Sequence, residues 1–146
     1  MVIFFFEKYG DSFKSVNWGS KESQNLRFDL LLKPFIESKK LKDRPTILDV
    51  GCGLGHLYSY LQERENPFDY KGIDIIPHMV AQASKRHPKG CFEVGTVSDI
   101  AKETYDIVVA SGIFYVAYNQ VSMNADLAKM YSLCKWGFAF NSLSRW

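Results

Sequence analysis

The apolar residues of this chain follow two rhythms. Phe28, Leu31, Leu32, Phe35 and Ile36 stand at i, i+3, i+4, i+7 and i+8, which predicts one face of an amphipathic helix. Ser20 is a candidate cap with Glu22 in the first turn, and Pro34 is expected to kink or shorten the helix. Residues before it are polar and aromatic without a clear period and read as an arm; Glu37 to Pro45 reads as a solvated connector. From residue 46 the rhythm changes. Thr46–Val50 is a short β-branched run stopped by Gly51, a predicted strand, after which Leu54, Leu57, Tyr58 and Leu61 resume helical spacing until Asn66-Pro67. Tyr70–Ile75 predicts a second strand, and Pro77 sits at the first-turn position of a helix through Arg86. Cys91–Val94, Tyr105–Ala110 and Phe138–Asn141 predict three more strands, with a helix between the last two that Ser122 caps and that ends near Gly137.

Strands alternating with helices of this length predict an α/β fold, a doubly wound and mostly parallel sheet of about five strands with helices on both faces. Residues 1–45 form an arm and helix, and residues 46–146 the sheet-forming core of a single domain. A net charge of +2 with no basic block argues against a nucleic-acid partner. The three cysteines, Cys52, Cys91 and Cys134, are widely spaced and contain no C-x-x-C pair, so neither a disulfide framework nor a metal site is expected. A reducing cytoplasm is the simplest setting. No run approaches the ~18 apolar residues a membrane helix needs, so no membrane partner is expected. The opening Met1-Val2-Ile3-Phe4-Phe5-Phe6 lacks the basic start of a signal peptide.

In a sheet of this kind ligands bind beyond the carboxyl ends of the strands, near the point where strand order reverses. The first strand–helix turn is Asp49-Val50-Gly51-Cys52-Gly53-Leu54-Gly55-His56, whose glycines allow a sharp turn and a close approach of backbone N–H groups to a ligand. Asp74 closes the second predicted strand, 19 residues after Gly55, where a carboxylate would meet the two hydroxyls of a ribose. The loop is G-x-G-x-G. The dinucleotide pattern G-x-G-x-x-G would need glycine at His56, which argues against NAD and FAD.

Ile47-Leu48-Asp49-Val50-Gly51-Cys52-Gly53-Leu54-Gly55 resembles motif I of the class I S-adenosylmethionine-dependent methyltransferases. Gly72-Ile73-Asp74-Ile75-Ile76-Pro77-His78-Met79 resembles their second motif, Phe92 to Ile100 the stretch leading to the adenine-contacting loop, and Tyr105 to Phe114 the fourth strand and its turn. The resemblance covers residues 46–118 and implies S-adenosyl-L-methionine as cofactor. It implies that Gly51, Cys52, Gly53 and Gly55 face the methionine moiety and ribose, that Asp49 holds the ammonium group, and that Asp74 binds the ribose hydroxyls. Ile75 and Met79 would sandwich adenine, Thr96 and Val97 with Asp99 would border its amino edge, and Ser111 and Gly112 would offer carbonyls to the ammonium. Thr96 stands where the family often has an acid.

A small-molecule acceptor is expected, with Trp18, Tyr115 and Tyr118 as candidate lining residues; no catalytic base is evident. His56 reads as an exposed histidine at a helix start, Arg27 as a solvated arginine, and Cys52 carries no nucleophilic role. An Asn-Pro-Pro-Tyr motif of base-modifying enzymes is absent after the fourth strand, where Ser111-Gly112-Ile113-Phe114 stands. The family normally continues past the fifth strand, so the chain is expected to be shortened, with that strand as an exposed edge open to a homodimer. Two alternatives accompany this reading: a cofactor-binding module without activity of its own, and a nucleotide-binding oxidoreductase.

Overall fold

A computed structural model describes residues 20–38, 43–65, 68–101, 103–114 and 119–142. The elements are α1 (Lys21–Ile36), β1 (Thr46–Val50), α2 (His56–Glu63), β2 (Asp69–Asp74), α3 (Pro77–Arg86), β3 (Cys91–Val94), a 3₁₀ turn (Val97–Asp99), β4 (Tyr105–Phe114), α4 (Gln120–Leu133) and β5 (Cys134–Ser142). The strands form one sheet in the order β3-β2-β1-β4-β5, with every neighbouring pair parallel. The chain leaves β1 toward β2 on one side and returns on the other side as β4. The order therefore reverses between β1 and β4, which is where such sheets open a crevice.

The two faces of the sheet follow from strand alternation. Ile47, Ile107 and Val109 face one core with Phe28, Leu31, Leu32 and Phe35 of α1 and Leu57, Tyr58 and Leu61 of α2. Leu48, Val50, Val108 and Ala110 face the other with Ile73, Val97 and Met130 and Leu133 of α4. Asp106, at the start of β4, ties the two central strands at their amino ends. Its Oδ2 accepts from the Thr46 N–H (2.9 Å) and Oγ (3.0 Å), and the Asp106 N–H donates to Thr46 Oγ (2.8 Å). Fixing the strands at this end fixes the offset of their carboxyl ends.

Several boundaries differ from the sequence expectation. Ser20 caps α1, accepting from the Ser23 N–H at 3.0 Å, but Pro34 does not shorten the helix. Pro34 removes one N–H, to the carbonyl of Leu30, and the helix ends two residues later, so the loss is confined to its last turn. Ile36 is 46% exposed and does not join the buried stripe. Helix α4 is capped by Asn119, whose Oδ1 accepts from the Val121 N–H at 2.8 Å, and Ser122 lies inside its first turn. It ends at Leu133, not near Gly137, and β5 begins at the next residue. Gly137 lies within β5 beneath Phe35: a Cβ there would stand 2.9 Å from that ring. Its missing side chain makes room for α1 and does not end a helix. Strand β4 runs to Phe114, beyond its continuous apolar run, because β5 pairs with it as far as Phe114↔Ser142.

Candidate functional site

The turn after β1 is built on three left-handed glycines, Gly51 (φ 77°), Gly53 (φ 53°) and Gly55 (φ 77°). The Gly51 and Cys52 N–H groups both donate to the Ile73 carbonyl, at 2.8 and 3.0 Å, which pins the turn to β2. Asp74 holds its far side. Oδ2 accepts from the Gly53 N–H and Oδ1 from the Ile76 N–H, each at 2.9 Å. Gly51 also lies against the end of β4, where a Cβ would overlap Ile113 Cγ2. Gly51→Ala is therefore expected to destabilise the domain by about 2–4 kcal/mol, left-handed strain and overpacking together. Urea unfolding measures it, and Ile113→Ala in the same chain should restore the overpacking share only.

Asp49 is 3% exposed, and its Oδ2 accepts from the Tyr70 hydroxyl at 2.7 Å. Burial pushes its carboxyl up to about 7, against the lowering effect of the Tyr70 bond, and the charge of Asp74 adds to the rise. Tyr70 is itself held well above the usual phenol range by burial and by Asp49, so it remains a donor. Among the described residues no Lys, Arg or His forms an ion pair with Asp49 or Asp74. Cys52 is buried beside both acids, and burial first, then their charges, hold its thiol far above the ordinary range. A thiol buried and held this way is a poor nucleophile. Gly72 admits this packing, since a Cβ there would meet Cys52 Cβ and the Tyr70 hydroxyl at 2.8 Å.

Around this centre Ile75 stands 67% exposed just past Asp74, whereas Met79 is 1% exposed and lies beneath the surface. Thr96 and Asp99 close the 3₁₀ turn on themselves: Asp99 Oδ2 accepts from the Thr96 N–H (2.7 Å) and Oγ (2.8 Å), and Val97 is buried. The Gly95 N–H donates to the Asp74 carbonyl at 3.0 Å and brings this turn to the end of β2. Ser111 and left-handed Gly112 (φ 80°) occupy the end of β4. Trp18, Tyr115 and Tyr118 lie outside the described residues. His56 is not an exposed helix-start residue. It is half-buried, with Nδ1 3.1 Å from Nε2 of Gln24, which α1 buries. No three His, Cys, Asp or Glu side chains among the described residues gather to hold a metal, and no described helix is long and apolar enough to cross a membrane.

The methyltransferase domain family matches residues 47–137, more than half of the chain. The chain belongs to that family. A Mycobacterium tuberculosis protein provisionally named a methyltransferase is 35% identical over 106 residues, covering 68% of this chain and 63% of its own length. Two solved structures share the fold. A mycolic acid cyclopropane synthase complexed with S-adenosylhomocysteine (SAH) and CTAB gives a TM-score of 0.66 at 19% identity, over 93% of this chain and 46% of that one. A plantazolicin methyltransferase in complex with a pentazolic desmethylPZN analog and SAH gives 0.62 at 20% identity, over 84% and 46%. This methyltransferase domain thus spans under two-thirds of that curated relative and under half of each structure.

In the methyltransferase domain, Asp49, the glycine turn, Cys52 and Asp74 come together, and Ser111 and Gly112 reach the same end of the sheet through Ile113. Sequence reasoning missed Tyr70 and Asn141. Tyr70 was within reach of it, because Tyr70, Gly72 and Asp74 share one face of β2 by alternation. Asn141 also left a trace, as the polar end of the apolar run Phe138-Ala139-Phe140.

Proposed function

We propose that the domain binds S-adenosylmethionine across the carboxyl ends of β1, β2 and β4 and passes its methyl group to a small-molecule acceptor. The observation that carries this reading is the acidic pair, Asp49 and Asp74, beside a backbone-lined turn with no protein cation to balance it among the described residues. A buried carboxylate without a cation is costly unless a cationic ligand arrives, and the ammonium group of the cofactor is such a ligand. Asp74 spends one lone pair of each oxygen on a backbone N–H and retains others for ribose hydroxyls. Exposed Ile75 suits an adenine face, and the Gly95 N–H, donating to the Asp74 carbonyl, brings Thr96 to the same end of β2. The donor set fits the cofactor.

The cofactor, when bound, supplies a methyl group already activated on a sulfonium. The chain's own part is to orient it, hold its charged end and keep water away. The near-balanced charge, +2 overall, supports a small acceptor over a nucleic acid.

Calorimetric titration of S-adenosylmethionine and SAH, with NADH as control, tests the reading. Binding of SAH in the low micromolar range, about −8 kcal/mol, with none of NADH, is expected. Binding of NADH alone would replace this reading with a dinucleotide site. Cofactor binding without turnover of any acceptor would reduce the domain to a binding module.

A further inference from the structure

We infer that Asn141 is a positioning residue for the amino-acid end of the cofactor site, acting through the turn that ends β4; the inference rests on the cofactor reading above. From Ile107↔Gly137 the β4–β5 ladder runs in register to Ser111↔Asn141 and then jumps to Phe114↔Ser142. Gly112 and Ile113 therefore have no residue opposite them, an irregularity of the kind that re-aims a strand end. A bulge leaves backbone groups without ladder partners, and the Asn141 carboxamide takes their place. Its Oδ1 accepts from the Gly112 N–H at 2.8 Å, and its Nδ2 donates to Ser111 Oγ at 3.0 Å. Because the Gly112 N–H can only donate, the carboxamide has one consistent orientation. One side chain thus fixes both residues of the turn while Gly112 sits at φ 80°, a conformation that residues with a Cβ rarely adopt.

The turn in its turn touches the glycine loop. Ile113 Cγ2 fills the space that a Cβ on Gly51 would occupy. A continuous chain of contacts runs from Asn141 through Gly112 and Ile113 to Gly51, two residues past the buried Asp49. Loss of the carboxamide frees the Gly112 N–H and lets the turn relax toward an ordinary ladder, shifting Ile113 where it packs against Gly51, two residues past Asp49. Asp74 and its two backbone bonds lie on the other side of the loop and are untouched. The effect should therefore fall on ligand groups near Asp49 and spare those near Asp74.

Two ligands separate these ends: SAH, and 5′-methylthioadenosine, which keeps the adenosine and the thioether but has no amino-acid group. Asn141→Ala is expected to weaken SAH about tenfold while leaving methylthioadenosine within about twofold. Asn141→Asp keeps an acceptor for Gly112 and accepts from the Ser111 hydroxyl, so it should restore SAH binding to within about threefold of the parent. If Asn141→Ala does not fold, Asn141→Ser, which cannot reach both partners, carries the same expectation. Equal weakening of both ligands, or unchanged SAH binding, overturns the inference while leaving the cofactor reading intact. A parent chain that binds neither ligand overturns both.

Discussion

Replacing Asp74 with alanine is expected to weaken SAH at least tenfold and to lower the melting temperature by several degrees. Two charge-assisted bonds vanish together, from the Gly53 and Ile76 N–H groups, each at 2.9 Å. Such bonds contribute roughly 1.5–3 kcal/mol each when buried. Asp74 is partly exposed, so a combined loss of about 2 kcal/mol is the better expectation. For a domain of this size that corresponds to about 4–8 °C. Asp74→Asn separates the two roles. Its carbonyl oxygen keeps one backbone donor while its NH2 faces the other, so part of the stability should return, while a carboxylate accepting two ribose hydroxyls is still missing. Melting curves and calorimetry on the same samples read both quantities. Asparagine binding SAH as tightly as the parent would remove Asp74 from the ribose site.

Asp49 should make both stability and ligand affinity depend on pH. Its carboxyl lies at about 7 in the folded, ligand-free protein, raised chiefly by burial, against about 3.9 in an unfolded chain. Between these values the folded state binds more protons, so this group's contribution to stability falls as pH rises from about 4 to 7. The full shift corresponds to a loss on the order of 4 kcal/mol. Asp49→Asn keeps an acceptor for the Tyr70 hydroxyl and cannot ionise, so the variant should gain on the parent across that window and hold its advantage above pH 7. Denaturant unfolding at a series of pH values gives this difference directly. Binding should move the opposite way. The ammonium group of SAH favours the ionised carboxylate, so affinity in the parent should rise roughly tenfold between pH 6 and pH 7.5. At pH 6 binding should release a proton, seen as a heat that depends on the buffer. In Asp49→Asn both dependences should flatten and SAH should bind weakly throughout. A parent whose affinity does not change over this range would show that Asp49 does not face the ligand's cation.

Much of this site could be read without coordinates because its signals are local. The change from a 3.6-residue period to a short β-branched run marks where α1 gives way to β1. The glycines of the turn reflect a backbone conformation that few other residues adopt, and Pro77 marks a helix start through its own fixed φ. Asp74 follows from the spacing between consecutive strands. Each of these depends on neighbours within one turn or one strand–helix unit.

What only the tertiary structure decided lies across longer separations. Tyr70 meets Asp49 from 21 residues away, Gln24 meets His56 from 32, and Asn141 meets Gly112 from 29. Asn119 and Ser122 are both good cap residues, and the choice between them follows from where β4 releases the chain. β5 extends back to Cys134, outside its apolar run, because Cys134 pairs with Tyr105 of β4 before the register shifts to Ile107↔Gly137. Periodicity fixes which residues are buried and which way an element faces. It carries no information about which strand lies alongside, and the bulge, the Asn141 carboxamide and the raised carboxyl of Asp49 are all consequences of that adjacency.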